Sequence, residues 1–145
     1  MSGDLYDTDI LIWSEQQAGL LRRLAAGEQI NEQIDWTNVI EEIESVGREQ
    51  IHAVESLLRQ ALVHMLRAEA WPLVREAPHW RAEARRVRAD ATNRFVPSMR
   101  QRIDLAKLYR QALRAVPETM DGQPPLPLSA TCPVTLDELL GEEDT

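Results

Sequence analysis

The sequence predicts an all-α fold: a mostly antiparallel bundle of four main helices, a proline-rich crossover and a short C-terminal helix. Three observations carry this. Apolar residues recur at steps of three and four from Val39 to Leu66, the spacing of one helix face. Ala and Leu are common, against four Trp, two Tyr and one Phe, a balance that suits helices better than sheets. Nothing reads as a strand. The 145 residues fit a single domain, 1–145, able to bury about two-thirds of its unfolded surface.

The first helix is expected from about Thr8 to Ala26, because Asp7 or Thr8 offers a short acceptor ahead of an apolar-periodic run. Leu5, Ile10, Trp13, Ala18, Leu21 and Leu24 supply its buried stripe, and Gly27 stops it. Residues 28 to 34 form a connection. Asp35 then caps the second helix, whose face runs through Val39, Ile40, Ile43, Val46, Ile51, Val54, Leu58, Leu62 and Leu66, about 45 Å at the helical rise. Gly47 lies within this face. A helix-interior Gly costs about 1 kcal/mol relative to Ala, and the expected reason for it is close packing of a neighbour.

In EAWPLVREAPHW, Pro72 and Pro78 break the pattern and imply a corner with Trp71 and Trp80 folded onto the core. His79, beside Trp80, is placed to cap the next helix. That third helix starts at Trp80, buries Ala84, Val87, Ala91 and Phe95, and presents Arg81, Arg85 and Arg88 on one face at i, i+4 and i+7. Pro97, with Ser98 nearby, opens a fourth helix packed by Met99, Ile103, Leu108, Tyr109 and Ala112, and Pro117 ends it. Residues 118 to 134 are rich in proline and form an extended strap. Thr135 and Glu138 make a capping box for a last short helix.

The net charge of -8 hides three blocks. Residues 1–56 hold twelve acids and three bases, residues 57–114 five acids and thirteen bases, and residues 115–145 seven acids and no base. Such blocks can face each other within one fold or across a dimer, or present a basic surface to an anionic partner. Arg81, Arg85 and Arg88 are the candidate anion-binding face, but an acidic domain argues against nucleic acid. The start of the chain has no basic and apolar leader pattern, and no run reaches the length of a membrane span. The reading is a cytoplasmic protein without membrane attachment. The single cysteine, Cys132, allows no internal disulfide and has no basic neighbour in sequence to activate it.

The stretch DWTNVIEEIESVG concentrates Asp35, Asn38, Glu41, Glu42 and Glu44. Helix physics accounts for much of it. Asp35 caps, Glu41 and Glu42 complement the N-terminal dipole by roughly 0.3–1 kcal/mol each, and Glu44 can pair with Arg48 at i+4. Asn38 and Glu42 are left over. Glu42 leans toward the core flank, where an Arg of the basic block is its expected partner. The alternative is an acidic cleft of Asp35, Asn38, Glu41 and Glu42, completed by His64 or Arg75. No metal is implied: of the two Glu-x-x-His spacings in the chain, Glu76 and His79 are split by Pro78 and Glu49 and His52 stand alone on a regular helix, where a metal-binding bundle uses two such pairs. No glycine-rich phosphate loop and no nucleophile elbow are present. No catalytic residue and no cofactor are implied.

The ordered set YDTDILIW, EEIESVG, HML, a proline corner leading to a Trp, and CPVTLDELL resembles the bacterial family known as domain of unknown function 29. The resemblance spans nearly the whole chain. It rests on Tyr6, Asp7, Asp9 and Trp13; on Asp35, Asn38, Glu41, Glu42, Ile43 and Gly47; on His64, Pro72, Arg75 and Trp80; and on Cys132, Pro133 and Leu136. The chain departs at Ala68, Trp71 and His79, where the family pattern has Trp, Gln and Ser, so the corner is expected to be repacked. The resemblance implies a small helical protein of bacterial origin and no mechanism. With no catalytic spacing, the leading expectation is a non-enzymatic module for protein–protein contact, with a protein partner or a second copy of itself.

Overall fold

The computed structural model describes residues 2–141, with side chains from residue 5 onward; Glu142, Glu143 and Asp144 of the acidic tail lie outside the described residues. The fold is all-α. It comprises α1 (Ser2–Thr8), α2 (Ile10–Ala25), α3 (Trp36–Ala70), α4 (Ala77–Arg94), α5 (Leu105–Arg114) and α6 (Leu136–Leu139). Short 3-10 turns stand at Asn31–Gln33 and Pro97–Met99. Among the described residues there is no strand, and no helix is long and apolar enough to cross a membrane. The chain divides into two compact units, the boundary following Glu49, within α3.

In the first unit the expected first helix is two helices. Asp9, rather than Asp7 or Thr8, caps α2, its carboxylate accepting from the Ile12 amide at 3.2 Å. Its non-helical backbone, at φ -153° and ψ 81°, breaks the helix while its own N–H still reaches Leu5 O. The break turns Ile10 outward with Leu11 and Ile12, so Ile10 is no part of the buried stripe. Gly27 does stop α2. Its φ of 99° lets the Glu28 amide bond Arg23 O and its own amide bond Leu24 O, the paired bonds of a Schellman stop. Arg23 and Glu28 then pair at 3.0 Å. The core of this unit is Trp13, Ile34 and Val39, with Leu5, Tyr6, Leu20, Leu21 and Leu24 packed against them.

The second unit is built on the rest of α3. Val54, Leu58, Leu62 and Leu66 are buried with Ala91 of α4, Leu108, Tyr109 and Ala112 of α5, and Leu139 of α6. Trp71 and Trp80 are buried at the corner, as their spacing implies. Helix α4 begins at Ala77, three residues before the expected start, because Pro78 sits in its first turn. A proline there sacrifices no hydrogen bond, since first-turn amides have no helical acceptor. His79 is therefore inside α4 and caps nothing. Pro97 opens a 3-10 turn, and the fourth long helix waits for Asp104, whose carboxylate accepts from the Lys107 amide at 3.1 Å.

The strap is pinned at several points. Asp121 and Gly122, at φ 53° and 77°, turn the chain so that Met120 and Gln123 exchange both backbone bonds, the geometry that Asp-Gly favours in tight hairpin turns. Trp71 donates to Gln123 O at 3.0 Å, Leu126 N to Ala70 O at 2.9 Å, and Tyr109 to Ser129 O at 2.5 Å. Thr135 caps α6 through the Glu138 amide, as the capping box predicts. Arg88 closes the other end of α6, donating to Glu138 O and Leu139 O at 2.8 Å each.

Gly47 does not pack against a neighbour: a Cβ built there would meet nothing within 4 Å. Two substitutions on α3 should therefore move stability in opposite directions. Leu58→Ala, at a fully buried position, should cost about 3 kcal/mol. Gly47→Ala should add about 1 kcal/mol from backbone propensity. Urea unfolding with an unchanged slope checks both.

Candidate functional site

The acidic motif at the start of α3 forms one connected node in the first unit. The Asp35 carboxylate accepts from Trp13 Nε1 at 3.0 Å and from Asn38 Nδ2 at 2.8 Å, both on Oδ2, and takes the Asn38 backbone amide as well. The Asp35 amide donates to Oε1 of the buried Gln17 at 2.8 Å. One residue thus caps α3 and ties it to α2 from both sides. The Asn38 bond, helped by Trp13 and opposed by burial, holds the Asp35 carboxyl below the usual carboxylate range.

Glu42 is held by Tyr6, whose hydroxyl donates to Oε1 at 2.5 Å, rather than by an Arg of the basic block. This bond, with burial and the Glu42 charge adding to it, pushes the Tyr6 hydroxyl up to about 12. The Tyr6 ring meets Trp13 edge-on at 4.8 Å between centroids, so the two bonded pairs stack into one assembly. Glu41, not Glu44, pairs with Arg48, at 2.6 Å and half exposed. The four residues proposed for an acidic cleft are therefore each bonded within their own unit. An open groove of about 900 Å³ in this unit is lined by Leu5, Glu15, Gln17, Leu20 and Arg23 among others, and by none of those four.

The same helix turn carries an opposite feature. Ile40, Ile43 and Val46 are 52%, 68% and 61% exposed. Ile40, Ile43 and Gly47 follow one another at steps of three and four, the spacing of one helix face. Of the start of the stripe predicted from periodicity, Val39 is buried in the core of this unit, whereas Ile40, Ile43 and Val46 are exposed. Trp36, also partly exposed, begins α3, its indole fixed to Asn31 O at 3.0 Å.

The remaining candidates lie in the second unit. His64 is half-buried on α3, and its Nδ1 has no hydrogen-bond partner among the described residues. Burial, then Arg67, lowers its pKa. Arg75 is exposed in the turn between α3 and α4. Of the arginine face, Arg81 and Arg85 are exposed, whereas Arg88 is engaged with the α6 carbonyls. All three line a groove of about 610 Å³ with Met65, Glu69 and Pro72. Among the described residues no group of three or more His, Cys, Asp or Glu is placed to hold a metal ion. Tyr6, Trp13 and Gln17 are the node residues that sequence reasoning did not connect to Asp35 and Glu42. Tyr6 and Trp13 stood in the opening motif, but nothing local joins them to residues 22 and 36 positions away.

The lowered pKa values fix a pH response. Folding favours the Asp35 carboxylate, so that stability is full above the ordinary carboxylate value and is lost as pH falls through the lowered one. Folding disfavours the His64 cation, so stability also falls as pH drops below the ordinary 6.5 toward the lowered value. His64→Gln should flatten the melting temperature between about pH 7 and 5, and Asp35→Asn only below about pH 4. Thermal melts across pH check both.

The fold has a counterpart among solved structures. An alpha-helical protein of unknown function from Rhodospirillum rubrum is 27% identical, with a TM-score of 0.65 over 95% of this chain and 90% of that one. Curated proteins yield no match. The family model described as "Domain of unknown function DUF29" matches residues 5–143, and the chain belongs to that family.

Proposed function

We propose that the protein is a helical protein–protein interaction module of the bacterial cytoplasm, acting through the bare stripe of α3. The observation that carries this is the exposure of Ile40, Ile43 and Val46, three large apolar residues at helical spacing in the first unit. Fully burying such a side chain is worth about 1.5–3 kcal/mol, and somewhat less here because each is already partly covered. Ile10, Leu11 and Ile12, also exposed, add apolar surface in the same unit. Large apolar side chains left exposed close together are a recurring feature of association sites. The acidic-cleft reading has less support, since each of its carboxylates already has a partner.

The test is an Ile40→Ser, Ile43→Ser double variant. Its stability should stay within about 0.5 kcal/mol of wild type, as for other surface changes. Pull-downs from the source cell, with and without nuclease, should give a nuclease-resistant protein lost in the variant and rebound when purified. Recovery that is unchanged in the variant, or only through nucleic acid, would count against the module.

A further inference from the structure

We infer that the bare stripe of α3 takes an amphipathic helix with basic flanks, supplied by another protein. This rests on the interaction reading above and names its partner.

Three observations select that occupant. The first is that the stripe is helix-shaped. Ile40 and Ile43, with Gly47 four residues on, form a row at the three- and four-residue steps of one helix face, the kind of row into which the ridge of a second helix packs. A strand or loop would leave backbone polar groups facing the isoleucines without partners, whereas a helix satisfies its own.

The second is Gly47. It lies in line with Ile40 and Ile43, costs the free helix stability, and has open space where a side chain would stand. A glycine at that point lets a crossing backbone approach closely, as small residues do at helix–helix contacts. Its use is absent from the free chain and appears only with a partner helix in place.

The third is charge. Residues 1–49 hold eleven acids and three bases. Two of those bases, Arg23 and Arg48, are already paired with Glu28 and Glu41. Glu44, one step off the stripe, makes no ion pair among the described residues. A second copy docked through the same face would set two such acidic units against each other. A helix flanked by Lys and Arg would instead meet complementary charge on approach and in place.

The experiment uses two synthetic helical peptides with one Leu and Ala seam, flanked by Lys and Arg in one and by Glu in the other. Binding to the full chain is read by fluorescence anisotropy at physiological salt, beside sedimentation of the chain alone. The basic peptide should bind at least about tenfold more tightly than the acidic one and weaken as salt rises. Ile43→Ser and Gly47→Leu should each reduce its binding about tenfold, with the chain alone a monomer. Equal binding of the two peptides, or basic-peptide binding unmoved by Ile43→Ser, would overturn the inference. A dimer abolished by Ile43→Ser would overturn it too, yet keep the stripe as an interface. A monomer that binds neither peptide would overturn the inference and count against the interaction reading as well.

Discussion

One apolar stripe along α3 sets the terms for everything else. The helix is continuous from Trp36 to Ala70, and its apolar residues recur at the spacing of a helix face. Where that face meets α4, α5 and α6 it is core. Within the first 49 residues Val39 is buried, but Ile40, Ile43 and Val46 are each more than half exposed. The chain holds apolar side chains of this helix in water, and the association proposed above would give that exposure a role.

The acidic motif supports that role indirectly. Asp35 fixes the first turn of α3 through Trp13, Asn38 and Gln17, and Glu42 is fixed by Tyr6. These bonds occupy one side of the helix and leave the isoleucines on the other. A binding face built on a helix held in this way loses little conformational freedom when a partner arrives. Asp35, Glu41 and Glu42 each have a partner within their own unit.

Much of this was legible in the sequence where the cause is local. The all-α class followed from periodicity, the Gly27 stop from glycine's left-handed freedom, and the α6 cap from the spacing of Thr135 and Glu138. Local cues failed where several residues were equally eligible. Asp7, Thr8 and Asp9 can all cap, and only the reach of Asp9 to the Ile12 amide decides among them. Pro97 reads as the start of the fourth helix, but it opens only a 3-10 turn, and α5 begins after the Asp104 cap. The node was half legible: the Asp35 cap could be read, but Tyr6 and Trp13 reach it only through tertiary packing. The bare stripe was the least legible. Periodicity tells which residues share a face and is silent on whether another element covers them, so Ile40 and Ile43 read as core and Gly47 as a packing glycine.

The central claim is that the face at Ile43 is open in the free chain. The direct measurement is the thiol-modification rate of Ile43→Cys, in a Cys132→Ser background, followed over a range of dilute protein concentrations. The account predicts a rate close to that of an unstructured thiol, independent of concentration. Strong protection that persists on dilution would mean that the chain covers its own stripe, and would contradict it.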